Sequence, residues 1–352
     1  MSKMATIKID GKKISARSGE NLLEVAKQNN IFIPSLCYHR KLTPTGACRL
    51  CITKIKDLSG LIAACTVAVS DGMEVTAFDA ELEEARRYLL DYLLSEHNEA
   101  SDKSYDDEFK SLVARYGLDD PAKRQFPSLW KSLGYPVDDS SPVLTYDASK
   151  CVKCFRCIKA CDEVQGKKVL SFANRGITSY IIGGFGVWGE SECDGCGECI
   201  QLCPTGALVE KPNREVLQTA TADPGVISTC PYCGVGCQIE LKVKENRIVR
   251  ANGAEGVKPN DGMLCVKGRF GYAYVGSQDR LTQPLIKRNG QFVETGWDDA
   301  LDLVATKFIA IKEKYGNDAL AGYTSAKCTN EDNYIFQKFI RTAFGTNNLD
   351  YC

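Results

Sequence analysis

Apolar and polar residues alternate from the start of the chain. Ile7-Lys-Ile9 and Lys13-Ile-Ser15 flank Asp10-Gly11, a dipeptide that tolerates the positive φ angles of a tight turn, so residues 4–16 are predicted as a β-hairpin. The spacing then changes to that of a helix at Leu22, Leu23, Val25 and Ala26, ending near Asn29-Asn30 before Pro34. Strand-like alternation returns over residues 66–77. Two strands, a short helix, a long cysteine-bearing loop and a further strand fit a compact β-grasp domain over residues 1–79.

Residues 80–94 predict a strong helix with Leu82, Ala85, Leu89, Tyr92 and Leu93 on one side. The rest of 80–145 is polar and rich in Asp, Ser and Pro, and reads as a helical linker with one helix over 107–116. Residues 146–222 contain two similar cysteine runs, an internal repeat, followed by a linker over 215–223. Within 223–280 a strand pair, 238–244 and 247–251, turns at Glu245-Asn246 among four further cysteines. In 281–352 a helix from Trp297 to about Tyr315, a strand over 319–324 and a helix over 331–344 open an α/β domain.

Composition narrows the function classes. The 352 residues suffice for two or three domains at roughly 100–200 residues each. Lys plus Arg (44) nearly cancels Asp plus Glu (45), so nothing marks a nucleic-acid partner. No stretch of 18 apolar residues predicts a membrane span. The N-terminal residues carry neither an apolar signal core nor a twin-arginine signal, which predicts a cytoplasmic protein. Cysteine is the outlier, 18 residues in clusters against only two histidines, His39 and His97. In a reducing compartment such thiols are ligands rather than disulfides.

Three cysteine patterns result. The most specific is the pair Cys151-x2-Cys154-x2-Cys157-x3-Cys161 and Cys193-x2-Cys196-x2-Cys199-x3-Cys203-Pro204, two copies of the bacterial ferredoxin run. Three closely spaced thiolates wrap one corner of a cubane, and the fourth reaches the partner cluster. The predicted ligand sets are therefore Cys151, Cys154, Cys157 and Cys203 for one [4Fe–4S] cluster, and Cys193, Cys196, Cys199 and Cys161 for the other. Asp162 stands where proline follows the fourth cysteine of the second copy. Cys37-x10-Cys48-x2-Cys51-x13-Cys65, on loops of the β-grasp, suits a [2Fe–2S] cluster, with zinc as the alternative. Cys230-x2-Cys233-x3-Cys237, closed by Cys265, suits a third [4Fe–4S]; zinc also accepts that spacing. Gly234 and Gly236 let backbone amides approach the cluster sulfurs. Cys328 and Cys352 are left without a ligand role, Cys328 as a thiol in a turn. Gly183-Gly-Phe-Gly186 is too short for a dinucleotide fingerprint and reads as a turn, so a nicotinamide site is expected elsewhere.

These residues carry a resemblance along nearly the whole chain. Residues 1–212 resemble the N-terminal iron–sulfur region shared by the respiratory complex I large subunit, iron-only hydrogenases and NAD-linked formate dehydrogenases. Thr229-Cys-Pro-Tyr-Cys-Gly-Val-Gly-Cys237 and Gly262-Met-Leu-Cys-Val-Lys-Gly-Arg269 resemble the opening of molybdopterin oxidoreductases. Asp279-Arg-Leu-Thr-Gln-Pro-Leu-Ile286, Lys327-Cys-Thr-Asn-Glu-Asp-Asn-Tyr334 and Gly345-Thr-Asn-Asn-Leu-Asp350 are similar to formate dehydrogenase alpha subunits. The implied fold class is α+β and multidomain. It runs from a β-grasp [2Fe–2S] domain through a two-cluster ferredoxin-like domain and a [4Fe–4S] subdomain into an α/β molybdopterin domain.

The resemblance also implies an activity. Formate and carbon dioxide would interconvert at a molybdenum or tungsten bis(molybdopterin guanine dinucleotide) centre, and electrons would leave through the clusters. The implied partners are flavin and iron–sulfur subunits handling NAD(P) or ferredoxin, or a hydrogenase module. Lys267 resembles the family lysine between cluster and pterin. No catalytic residue is visible: the Cys or selenocysteine ligating the metal is expected a few residues beyond Cys352, which matches the position upstream of it. Relatives often bind a further cluster through H-x3-C-x2-C-x5-C. Counted from His97, those positions are Ser101, Ser104 and Lys110, so that cluster is expected to be absent, leaving His97 a solvated helix-end residue. The rival readings are a non-catalytic electron-transfer subunit and a hydrogenase or complex I type subunit.

Overall fold

The computed structural model describes residues 3–99, 107–211 and 225–351. Ser101, Ser104, the predicted linker over 215–223 and Cys352 lie outside these residues. The chain divides into two compact units, Met1–Asp223 and Pro224–Cys352.

The first unit opens with the predicted hairpin, β1 (Met4–Ile9) and β2 (Lys12–Arg17), in register Ile7 opposite Ile14. Asp10 and Gly11 take φ of 46° and 78°, and the Asp10 carboxylate accepts the Ala77 amide at 2.8 Å. Helix α1 (Leu22–Gln28) is capped by Asn21. Strands β3 (Ile52–Ile55), β4 (Ile62–Ala63) and β5 (Glu74–Thr76) complete a sheet of order β2-β1-β5-β3-β4, with β1 and β5 parallel. The alternation of β1 buries Ala5, Ile7 and Ile9 against Leu22, Leu23, Val25 and Ala26 of α1. Burying each such side chain stabilises by about 1.5–3 kcal/mol.

The strand expected over 66–77 is shorter than its pattern. Its first half is claimed by the helix entry: the Leu22 amide bonds Val67, the Gly19 amide bonds Val69, and Asn21 Nδ2 donates to the Cys65 carbonyl at 2.6 Å.

Helix α2 (Ala80–Ser95), capped by Asp79, is rotated from the orientation its apolar pattern predicts. Leu82, Arg86, Leu90, Asp91 and Leu94 are buried, whereas Tyr92 is exposed and Leu89 and Leu93 are half-buried. Arg86 decides the rotation. Its fully buried guanidinium donates to the carbonyls of Leu50 (3.1 Å), Ile52 (2.7 Å) and Ala77 (2.8 Å), and pairs with Glu83.

Helix α3 (Glu108–Arg115) packs on α2 through Phe109, Leu112 and Val113. This docking overturns the expectation for His97. The imidazole is 4% exposed, lies 4.8 Å from the Phe109 ring, and neither ring nitrogen has a hydrogen-bond partner among the described residues. Burial pushes its pKa down to about 4, and the positive charges of Lys110 and Lys150 act in the same direction.

The repeat region folds around a three-stranded antiparallel sheet, β6 (Val137–Asp138), β7 (Leu144–Asp147) and β10 (Leu208–Glu210), with β7 central. A hairpin of β8 (Leu170–Ala173) and β9 (Tyr180–Gly183) stands beside it, and Gly183–Gly186 forms the expected turn. Each cysteine run ends in one helical turn, α4 (Arg156–Lys159) or α5 (Glu198–Gln201).

In the second unit β11 (Val226–Thr229), β12 (Gln238–Lys244) and β13 (Arg247–Gly253) form an antiparallel sheet, with the predicted turn at Glu245-Asn246. The short helix α6 (Val266–Phe270) follows Cys265. Beyond a hairpin of β14 (Leu285–Arg288) and β15 (Gln291–Glu294) comes α7 (Trp297–Tyr315), with the predicted bounds. Then β16 (Gly322–Thr324), α8 (Asn330–Phe339) and β17 (Leu349–Tyr351) form a β-α-β unit whose two strands are parallel. Among the described residues no helix is long and apolar enough to cross a membrane.

Candidate metal centres

The first cysteine set converges at one end of the β-grasp sheet. Cys37, Cys48, Cys51 and Cys65 are all buried, and hydrogen bonds join Cys37 to Cys48 and Cys65, and Cys51 to Cys65. The Leu36 amide approaches Cys48 Sγ at 3.4 Å, and the Cys48 amide approaches Cys37 Sγ at 3.5 Å. The bonds from Cys48 and Cys65 pull the Cys37 thiol down to about 2, and the same contacts hold Cys48 and Cys65 up. Cys51 is lowered as well, first by its contact with Cys65, so two thiols ionise readily and two resist; a cationic guest would favour ionisation of all four.

The ligand loops are clamped from both sides. Arg86 holds the carbonyls on either side of Cys51, and the Asn21 amide holds that of Cys65. Gly46 takes φ of 64°, and a Cβ there would sit 3.2 Å from Thr66 Cγ2. The cage also packs against the ferredoxin repeat. Leu36, Cys37 and Cys48 share one apolar cluster with Cys154, and Leu42 packs on Ala160 and Leu202. Lys159 Nζ donates to the Thr43 carbonyl at 2.6 Å, and the Glu163 carboxylate accepts the Thr43 amide at 2.7 Å.

In the repeat, the chain brings the cysteines together crosswise. One cavity is lined by Cys151, Cys154, Cys157 and Cys203. A second is lined by Cys193, Cys196, Cys199 and Cys161. Each run thus contributes its first three cysteines to one cavity and its fourth to the other. Backbone amides face the sulfurs: Lys153 N lies 3.4 Å from Cys151 Sγ, and Val169 N 3.4 Å from Cys161 Sγ. Burial raises the thiol pKa values of Cys151, Cys154 and Cys157, so they too need a cationic guest to ionise.

The two loops share a backbone. Positions two and four after the first cysteine have positive φ in both copies, as Gly195 (68°) and Gly197 (73°) in one and Lys153 (53°) and Phe155 (69°) in the other. The left-handed turn costs the glycines little and the bulky residues more. Lys153 is held there by Glu96 (2.6 Å), the Tyr135 hydroxyl (2.9 Å) and the Ile177 carbonyl (2.8 Å).

Several residues with no ligand spacing complete these walls. Arg156, buried between Cys154 and Cys157, forms a two-pronged pair with Glu108 (2.6 and 3.0 Å). Tyr146 lines the first cavity beside Cys151, and Trp188 lines the second with a buried indole N–H that has no partner among the described residues. An unsatisfied buried donor on a residue that lines a sulfur-walled cavity fits a sulfur-rich guest. No motif or spacing marks any of these three; only the fold assembles them.

In the second unit Cys230 is buried, Cys237 half-buried, and Cys233 and Cys265 are exposed. The charges of Cys230, Cys233 and Cys265 all act on Cys237. The Cys230 amide bonds the Cys237 carbonyl at 2.8 Å, closing the loop on itself. Buried Asn260 fixes the Cys265 loop to β12. Its side chain accepts from Gln238 N (2.7 Å) and donates to the Gln238 (3.1 Å) and Met263 (2.8 Å) carbonyls. Gly268 faces Cys230, where a Cβ would lie 3.5 Å from Sγ. Lys267 is exposed on α6, and Cys328 is half-buried in a turn.

Four known families match in succession. Residues 2–79 match the 2Fe-2S iron-sulfur cluster binding domain, and 141–209 the ferredoxin-like domain of NADH-quinone oxidoreductase subunit 3. Residues 225–277 match the molybdopterin oxidoreductase Fe4S4 domain, and 280–352 molybdopterin oxidoreductase itself. The chain carries the iron–sulfur N-terminal region of a molybdopterin oxidoreductase. The expected succession of domains is thereby borne out.

Curated relatives cover this region end to end. The alpha subunit of an NADPH-Fe(3+) oxidoreductase from Geobacter sulfurreducens is 35% identical over 99% of this chain and 40% of its own length. A subunit of an NADH-quinone oxidoreductase from Rhizobium meliloti is 33% identical, with 99% and 40% covered. A Staphylococcus aureus protein, named provisionally as a formate dehydrogenase, is 29% identical over the whole chain and 39% of its own length. The chain thus spans about 40% of the length of these relatives. Among solved structures, a chain of an NAD+-reducing [NiFe]-hydrogenase superposes with a TM-score of 0.53 at 28% identity, over 59% of this chain and 87% of that one.

Proposed function

We propose that this region of the molybdopterin oxidoreductase is an electron relay whose sixteen clustered cysteines hold one [2Fe–2S] and three [4Fe–4S] clusters in the quartets set out above. The crossed arrangement of thiols around the two repeat cavities carries this reading. Zinc prefers separated Cys-x2-Cys pairs, whereas each quartet here draws three closely spaced thiols from one run and the fourth from the other. When bound, each cluster would take up and release one electron at a time. The chain's own residues do the rest. Arg86 and Asn21 fix the loops of Cys51 and Cys65, Leu36, Cys37 and Cys48 pack against Cys154 to exclude water between two sites, and Asn260 anchors Cys265.

We further infer that the relay serves interconversion of formate and carbon dioxide at a bis-pterin molybdenum or tungsten centre. The stretches at 279–286, 327–334 and 345–350 and the Staphylococcus aureus relative support it. Lys267, two residues past the last ligand, would hold the pterin through its ammonium. Partners would be flavin and iron–sulfur subunits handling NAD(P) or ferredoxin, or a hydrogenase module, as the names of the other relatives support. The higher identity to NAD(P)H-linked subunits favours a second reading, a relay without formate chemistry.

Protein purified anaerobically from its host separates the two. Formate-dependent viologen reduction with stoichiometric molybdenum or tungsten supports the formate reading. Reduction by NAD(P)H alone, with neither metal present, overturns it and leaves the relay standing.

A further inference from the structure

Each of the two ferredoxin cavities has one buried aromatic ring in its lining, and the two rings are in contact. Tyr146, from the central strand β7, lines the cavity of Cys151, Cys154, Cys157 and Cys203; Trp188 lines the other. Their rings lie 5.9 Å apart, tilted by 35°. Both are buried, at 1% and 2% exposure. Each carries one polar hydrogen that the protein does not use for its own core.

The Tyr146 hydroxyl accepts the Ile181 amide at 3.0 Å, which occupies a lone pair and leaves the proton free to be donated. Cys151 lines the same cavity as this ring. Trp188 is a donor only, and its Nε1–H finds no acceptor among the described residues. A buried orphan donor costs about 1–3 kcal/mol, so its retention against a thiol-lined cavity calls for an acceptor inside that cavity. The ring has little freedom to turn elsewhere. The Trp188 amide is held by Asp138 (2.8 Å), its carbonyl by Ser191 (2.6 Å), and a Cβ on Gly183 would meet its Cα at 2.9 Å.

We propose that Tyr146 and Trp188 are a pair of sulfur-directed hydrogen-bond donors, one to each ferredoxin-type cluster, that raise the reduction potentials of those two clusters. Reduction adds negative charge to the cluster, and a donor aimed at ligand or cluster sulfur stabilises the reduced form more than the oxidised one. The two residues are positioning and tuning groups rather than catalytic ones. The proposal rests on the ligand sets assigned above.

The test is a potentiometric titration followed by electron paramagnetic resonance. The chain is loaded anaerobically with iron and sulfide, and dithionite supplies one electron per cluster. Tyr146→Phe keeps the ring and deletes the proton; Trp188→Phe deletes the indole N–H. Tyr146→Phe is expected to disfavour reduction of one cubane about tenfold, a fall of about 59 mV for one electron. Trp188→Phe should lower a second cubane by a similar amount, and every other cluster should stay in place at unchanged iron content. No shift in either variant, or both variants moving the same cluster, overturns the proposal. Should Trp188→Phe fail to load iron, the Tyr146→Phe shift alone decides: an unmoved potential there overturns the pair. Failure of the unsubstituted chain to give any reduced cubane signal overturns the ligand assignment instead.

Discussion

Replacing Arg86 by methionine tests whether a buried cation positions the first cluster's ligands. The substitution keeps the aliphatic stem of Arg86, which is fully buried, and removes only the guanidinium. Three carbonyls, those of Leu50, Ile52 and Ala77, then lose donors at 3.1, 2.7 and 2.8 Å. An unsatisfied buried acceptor costs about 1–3 kcal/mol. Relief from burying a charge returns part of that, so the net loss expected is about 3–5 kcal/mol. Against a typical domain stability of about 5–15 kcal/mol this is a large fraction. The Glu83 partner is half exposed, so its own removal should cost under about 1 kcal/mol. The assay is urea unfolding of the iron-loaded chain, followed by circular dichroism and by visible absorption of the [2Fe–2S] centre. Both signals should shift to lower urea together, because Leu50 and Ile52 flank Cys51. Arg86→Lys, which can serve fewer carbonyls, should fall between. A loss below about 1 kcal/mol for Arg86→Met would refute the assigned role.

Other predictions use independent parts of the molecule. His97 titrates near 6.5 when unfolded and about 4 when folded. Its neutral form is favoured by folding, so that contribution is fully present above pH 6.5. It is lost as pH falls through about 4, and amounts to roughly 3 kcal/mol. His97→Leu should flatten this part of the stability–pH curve, read as the difference between variant and parent in unfolding at pH 7 and pH 4. Cys161→Ala should disturb the cubane of Cys193, Cys196 and Cys199 rather than that of its own run, and Cys203→Ala the reverse; spectra of the two variants identify which signal is lost. Asn260→Ala removes three hydrogen bonds from a buried side chain and should cost about 2–4 kcal/mol. Iron analysis of that variant should show loss of about four iron atoms per chain.

Much of the architecture is legible in the sequence because local signals coincide with it. The Asp10-Gly11 hairpin, the Glu245-Asn246 turn and the bounds of α7 follow from turn chemistry and apolar spacing. The crossed grouping of the repeat cysteines around two cavities follows from their spacing, since three close thiols leave the fourth out of reach.

What spacing does not encode is the identity of the groups that satisfy buried polar atoms. Arg86 looks like surface charge until the backbone carbonyls beneath α2 are placed. Apolar spacing places Leu82, Leu89 and Leu93 against the core but misses the rotation of α2 that exposes Tyr92, because Arg86 rather than a leucine points inward. His97 looks like a helix end until Phe109 of α3 covers it. Tyr146, Trp188 and Asn260 carry no motif; each acquires a role from a partner at least 20 residues away in the sequence. Glycine is a usable clue at 195 and 197, whereas the equivalent left-handed positions, Lys153 and Phe155, give no such signal.

The central claim is that the cysteine quartets hold iron–sulfur clusters. Metal and acid-labile sulfide analysis of the anaerobically prepared chain, combined with low-temperature electron paramagnetic resonance, tests it most directly. About 14 iron and about 14 sulfide per chain are expected, with one binuclear and three tetranuclear signals on reduction. Zinc in stoichiometric amounts with little sulfide, or all three tetranuclear signals surviving alanine at Cys154 and Cys196 together, would contradict it.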